Sequence, residues 1–166
     1  MLQITLYDGF STIPPVEKEH MHMFNFEETA ARLFAETHEA IIYAGRDGTI
    51  QLWNGGAEEM FGWPTGEAIG QSLDIIVPEK HRKAHWVGWD RVMDTGETKY
   101  GSEPLKVPGL RKDGSKISLE FSITILKDDA GQIEGVAALL RDVTADWEER
   151  KALKQRVREL EKAADE

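Results

Sequence analysis

The chain has 166 residues, no cysteine, and 20 basic against 30 acidic side chains, for a net charge of −10. This length fits one domain with a core of ordinary size, and the absence of cysteine excludes disulfides, thiolate metal sites and cysteine nucleophiles. The acidic balance argues against a nucleic-acid partner. No apolar run approaches the roughly 20 residues of a membrane span and no signal sequence is evident, so we predict a cytoplasmic protein without a membrane partner.

The first 24 residues differ in character from the rest, with a Pro14-Pro15 pair and alternating His and Met at 20–23. They are either a natural extension or a sequence added for expression, and the fold prediction leaves them out. A helix is predicted to begin at Asn25, an N-cap followed three residues later by Glu28, and to extend to Phe34 as a cap helix on the domain.

Strand patterns follow from Glu39. Residues 41–44 and 50–53 are apolar segments on either side of Asp47-Gly48, which predicts a β-hairpin. Short helical segments are then predicted at 54–62, at 64–67 and within 71–77. Pro78, at a position that a first helical turn tolerates, opens a longer helix to about Asp94.

Three further strands are predicted, at about 100–110, 116–126 and 133–140. The middle strand alternates apolar and polar side chains throughout, so one of its faces is buried and the other is wet. Asp-Gly and Asp-Ala-Gly turns separate the three strands. Five antiparallel strands with helices inserted after the second predict an α+β fold with the helices on one face of the sheet.

A polar helix from Thr144 ends the chain. An apolar stripe near heptad spacing runs along it, interrupted by Arg150, and consists of Trp147, Leu153, Val157, Leu160 and Ala164. Such a helix either folds back on its own domain or joins two chains as a coiled coil. The thin apolar stripe on a highly charged helix favours the coiled coil, and therefore a homodimer.

These elements resemble the PAS domain, a sensory module. The resemblance rests on residues 48–63, on the hairpin Lys112-Asp113-Gly114-Ser115, and on Arg141-Asp142-Val143-Thr144, which is similar to the Asp-hydrophobic-Thr junction before a PAS signalling helix. It implies a leader at 1–24, a sensor domain at 25–142 and a signalling helix at 143–166. Asp142 and Thr144 would then pass the signal on to a downstream partner that the sequence does not identify.

The helix from Pro78 is similar to the cofactor helix of the FixL-type haem-binding sensors. In those proteins the axial iron ligand is a histidine seven residues after this proline, and His85 lies at that position. Gly88, on the same helical face, leaves room for a flat ring, although glycine costs about 1 kcal/mol of helix stability relative to alanine. The resemblance therefore implies haem b bound through His85.

The resemblance also implies that Arg91 and Lys99 bind the haem propionates, a chemically sensible pairing of cations with carboxylates. The facing wall would consist of Leu105, Phe121 and Ile123. Leu105 takes the place of the arginine that hydrogen-bonds oxygen in FixL-type sensors, so selectivity for O2 over CO or NO is not implied. The expected stimulus is one of these diatomic gases or a change in redox state.

Other interpretations stay open at this stage. His85 occurs as a packed or surface residue in PAS domains without haem, and Arg91 and Lys99 have ordinary roles as surface charges. His81 and His85 lack a third zinc ligand at suitable spacing. No hydrolase, phosphate-binding or metalloprotease motif is present, so no catalytic residue is assigned and no enzyme activity is predicted. The main alternative is an interaction module that is empty or holds a small apolar metabolite, with non-covalent flavin binding as a third.

Overall fold

The computed structural model describes residues 25–98 and 105–164. The helices are α1 (Phe26–Glu36), α2 (Gly55–Phe61), α3 (Thr65–Ala68), α4 (Glu79–Thr95) and α5 (Thr144–Ala164), with a short 3₁₀ helix at Leu73–Ile75. The strands are β1 (Ala40–Gly45), β2 (Ile50–Trp53), β3 (Leu105–Leu110), β4 (Lys116–Lys127) and β5 (Ile133–Asp142). The leader and the predicted start of the third strand, from Tyr100, lie outside the described residues. None of the described helices is long and apolar enough to cross a membrane.

The chain forms two compact units, residues 1–33 and 34–166. The described part of the first unit is the beginning of α1, where the side chain of Asn25 accepts a hydrogen bond from the Glu28 amide at 3.2 Å. This contact confirms the predicted N-cap. The second unit contains the sheet and the remaining helices.

The five strands form one antiparallel sheet in the order β2-β1-β5-β4-β3. The last strand in sequence, β5, therefore lies in the centre between β1 and β4. Successive strands pair through hairpins except at β1 and β5, whose pairing closes the fold across most of the chain. The predicted α+β architecture is confirmed.

The core fills the space between one sheet face and the helices that follow β2. Alternate strand residues on that face are buried, including Ile42, Ile117 and Leu140. They pack against α2, whose Phe61 is fully buried with its ring centroid 5.4 Å from that of Trp53. Because the helices cover this face, the strands alternate buried and exposed side chains as the sequence predicts.

Helix α4 begins and ends as predicted from its flanking residues. Pro78 precedes its first turn, where the missing N–H costs no hydrogen bond. Gly96 follows its last turn with φ of 68°, a left-handed conformation that favours glycine, and its N–H donates to the Val92 carbonyl. These two residues fix the length of the helix that carries His85.

Candidate functional site

Helix α4 is anchored on the turn of the β1–β2 hairpin by two tryptophans. Trp86 Nε1 donates to Asp74 Oδ1 at 2.9 Å, and Trp89 Nε1 donates to the Arg46 carbonyl at 3.0 Å. The Trp86 ring lies against Gly48 and occupies the space that a Cβ at that position would fill. The sequence predicts these tryptophans as core or interface residues, whereas the structure shows that they also fix α4 by directional hydrogen bonds.

His85 lies between these anchors on α4 and is half-buried. Its ring centroid is 4.9 Å from that of Trp86, edge to face, and 6.1 Å from that of Trp89. Its Nδ1 is buried and has no hydrogen-bond partner among the described residues. A buried polar atom without a partner is rare in folded proteins and points to a missing ligand.

Burial lowers the pKa of the His85 imidazole below its ordinary value of 6.5, and the nearby Asp74 carboxylate offsets part of that decrease. The neutral form is therefore favoured at neutral pH. Neutral imidazole is the form that binds metal ions.

We expect this shift to make stability depend on pH. Below about pH 6.5 the His85 imidazole of the unfolded chain takes up a proton that the folded protein resists, so the free energy of unfolding should fall as the pH drops from 7.5 toward 5. Urea unfolding across this range should show a shallower pH dependence in His85→Gln. His38→Gln, whose side chain is 95% exposed in the wild type, is the control and should leave the slope unchanged.

Asp74 is a site residue that the sequence analysis missed. Besides accepting from Trp86, it lies 3.8 Å from Arg82 Nε through Oδ1, and its backbone carbonyl accepts from Arg82 Nη2 at 3.0 Å. Arg82 Nε also donates to the Val77 carbonyl at 3.2 Å. The available signal was a single carboxylate within the apolar run Leu73-Asp74-Ile75-Ile76.

The other predicted residues of α4 are exposed. No heavy atom lies within 4 Å of where a Cβ of Gly88 would stand, apart from its chain neighbours and the helix backbone. Arg91 is exposed, and its guanidinium has no ion pair or hydrogen bond within the part of the chain that the structure describes. Lys99 lies outside the described residues. The space beside His85 predicted from Gly88 is thus present on the helix surface.

The predicted facing wall lies on β3 and β4. Leu105 and Phe121 are directly opposite each other in the β3–β4 register, and Ile123 lies two residues further along the same face, opposite Ala138 of β5. All three predicted residues are half-buried, whereas Leu119 on the same face is buried. The helices therefore cover this end of the sheet less completely. No described ring contact or hydrogen bond joins these residues to His85.

The end of β5 is tied to the start of α5 by a polar network. The Asp142 carboxylate accepts from the Arg111 guanidinium and, through Oδ1, from both the amide and the hydroxyl of Thr144. Thr144 Oγ1 in turn accepts from the Ser118 amide at 2.9 Å, and Arg111 Nε donates to the Met60 carbonyl at 2.8 Å. The predicted pair Asp142 and Thr144 is thus in direct contact, while the bridging Arg111 was missed.

Helix α5 leaves its apolar stripe uncovered, because Leu153, Val157 and Leu160 are each more than half exposed. Trp147 does not continue this stripe. It precedes Leu153 by six residues, about 120° away around the helix axis, and stacks with Lys151, whose Nζ is 4.9 Å from the ring centroid. It shares its side of α5 with basic residues such as Lys154.

Comparison with known proteins agrees with this architecture. A family model described as the PAS fold matches residues 34–146. The sensor protein FixL of Bradyrhizobium diazoefficiens is 33% identical over 108 residues, which cover 64% of this chain and 21% of that protein. The oxygen sensor protein DosP of Escherichia coli is 26% identical over 108 residues, covering 64% of this chain and 13% of DosP.

A solved structure, the PAS domain of a protein from Colwellia psychrerythraea, aligns with a TM-score of 0.64 and 21% identity. The alignment covers 73% of this chain and 99% of that one, so it supports the fold alone. The chain spans about a fifth or less of the length of FixL and DosP. The likeness to those two proteins is therefore to one domain of each.

Proposed function

The chain belongs to the PAS family, and we propose that it is a sensor domain that binds haem b through His85 and responds to a diatomic gas or to a change in redox state. The observation that carries this proposal is the His85 imidazole, which is half-buried, biased to the neutral form and unpaired at the buried Nδ1. The names of two similar proteins, a sensor and an oxygen sensor, are in keeping with it.

The residues around His85 fit a haem group. An uncommitted neutral imidazole is what an axial ligand requires, and Gly88 leaves the next turn of the helix without a side chain. Arg91 is an exposed cation on the same helix and would pair with a propionate; Lys99 is proposed for the same role from its position in the sequence. When bound, haem would supply an iron centre that takes up O2, CO or NO and changes its redox state.

Apolar side chains from the sheet would shield that centre from water. Leu105, Phe121 and Ile123 contain no hydrogen-bond donor, so this wall offers no specific stabilisation to a polar ligand such as O2. We therefore propose CO or NO as the relatively favoured gases.

The output is proposed to pass through α5 of a homodimer. A change at the sheet would reach Asp142 at the end of β5, and its contacts with Thr144 would carry the change into the helix. A ligand shifts such an equilibrium only by its difference in affinity for the two states. The exposed stripe at Leu153, Val157 and Leu160 is the surface proposed to bind the second copy.

Titration of the purified protein with hemin tests the haem proposal. We expect saturation at one equivalent per chain with a sharp Soret band, and His85→Ala should bind hemin at least about 100-fold more weakly. His81→Ala, one helical turn earlier, is the matched control and should bind as the wild type does.

Equal hemin binding by wild type and His85→Ala would refute the assignment of His85. A wild-type protein that takes up no hemin would refute haem sensing, and would favour an interaction module that is empty or holds a small apolar metabolite.

A further inference from the structure

We propose that α5 pairs with α5 of a second copy in parallel orientation and in register, and that two pairs of opposite charges fix this arrangement. The inference rests on the proposed dimerisation through α5 and adds to it the orientation of the two helices. It is drawn from the charges beside the apolar stripe, which the predicted homodimer does not use.

The apolar stripe defines the heptad frame. Leu153, Val157 and Leu160 are spaced by four and then three residues, which corresponds to positions d, a and d. Their exposed fractions in the single chain are 59%, 52% and 56%. A stripe this exposed gains by burial against another copy, since apolar area removed from water contributes about 25 cal/mol per Å².

The same frame places two opposite-charge pairs at the flanking positions. Glu149 and Arg156 are at g, while Lys154 and Glu161 are at e, five residues after each of them. In a parallel, in-register coiled coil a g residue faces the e residue of the following heptad in the other helix. Glu149 would therefore meet Lys154 of the second copy, and Arg156 would meet Glu161, each pair occurring twice by symmetry.

An antiparallel pairing brings like charges together instead. In that orientation e faces e and g faces g. With Leu153 packed against Val157 of the other copy, Lys154 would face Lys154 and Arg156 would face Arg156. Charge complementarity thus favours the parallel arrangement.

Two other features of α5 are compatible with this pairing. Within one chain Arg156 Nη1 lies 3.7 Å from Glu159 Oε2, both side chains being largely exposed; such surface pairs contribute little and exchange readily. Arg150 falls at an a position. A single charged residue there costs stability but disfavours shifted registers.

Site-specific cross-linking tests the register, because the chain contains no cysteine of its own. Val157→Cys places two thiols face to face in a parallel, in-register pair, and mild oxidation should give a covalent dimer. Gln155→Cys, at the outward-facing f position, is the matched control and should stay uncross-linked. A dimeric wild type whose Val157→Cys variant fails to cross-link would overturn the proposed register but not the dimer.

A charge exchange tests the orientation independently of the introduced thiol. Lys154→Glu should raise the dimer dissociation constant, measured by sedimentation equilibrium, about tenfold or more, because each dimer loses two attractions and gains two repulsions. Adding Glu149→Lys should restore it to within about threefold of the wild type. Lys162→Glu makes the same charge change outside the e and g positions and should have little effect.

If the double variant dimerises as weakly as Lys154→Glu, the parallel pairing is wrong. A wild type that sediments as a monomer would refute dimerisation through α5 itself. Hemin binding by His85 is measured separately and depends on neither outcome.

Discussion

Replacing Asn54 with alanine is expected to lower the free energy of unfolding by at least about 3 kcal/mol. Asn54 is 2% exposed, and its Oδ1 accepts from the amides of Ile41 at 2.8 Å and Ala57 at 3.0 Å. Its Nδ2 donates to the carbonyls of Glu39 at 2.9 Å and Phe34 at 3.1 Å. Alanine would leave buried donors unpaired, each costing about 1–3 kcal/mol, and would remove the N-cap of α2, worth about 1 kcal/mol.

Chemical denaturation monitored by circular dichroism measures this loss, with Asn25→Ala as the matched control. Asn25 is also an asparagine N-cap, but it is exposed and its side chain binds one amide, that of Glu28. We expect the control to cost about 1 kcal/mol or less. Equal effects of the two substitutions would mean that Asn54 acts only as a cap and does not join α2 to the segment before β1.

A Gly56→Ala substitution is expected to destabilise the protein by about 1–3 kcal/mol, although alanine ordinarily stabilises a helix. Gly56 lies in the first turn of α2, where an added Cβ would approach the His38 carbonyl oxygen to 2.7 Å and the Glu39 carbonyl oxygen more closely still. Both obstacles are backbone atoms, so no side-chain rotation relieves the contact. Helix α2 would have to move away from the start of β1.

Gly66→Ala is the matched control, because Gly66 also lies in a helix, α3, and no heavy atom stands within 4 Å of its added Cβ. It should raise the midpoint of thermal unfolding slightly, through a gain of up to about 1 kcal/mol. The two alanine substitutions should therefore have opposite signs. A stabilising Gly56→Ala would show that α2 and β1 are less closely packed than the structure indicates.

The elements of the fold were predictable because their signals are local. The alternation along β4, the Asp-Gly turns and the residues that flank α4 each act within a few positions, and the observed bounds agree closely with the predicted ones. The central position of β5 beside β1 is not visible in any local pattern. It depends on which strand edges remain free once the hairpins have formed, and only the resemblance to the PAS fold implied the overall architecture.

For the candidate site, the sequence located His85 and the wall residues but not the groups that hold them. Asp74, Arg111 and Asn54 act through contacts that span 12, 31 and 20 residues, to Trp86, Asp142 and Phe34 respectively. A polar residue with distant partners looks the same in a sequence as one exposed to solvent. Trp147 shows the reverse error, since its apolar character suggested a place in the stripe that helix geometry excludes.

The junction between β5 and α5 has a mechanical consequence. A single residue, Val143, separates the end of the strand at Asp142 from the start of the helix at Thr144, so the helix has little freedom to pivot independently of the sheet. Helix α5 contains 21 residues and is about 30 Å long at 1.5 Å per residue. It therefore acts as a lever arm: a tilt of about 5° at the strand end would move its far tip by about 3 Å, which is two residues of helical rise.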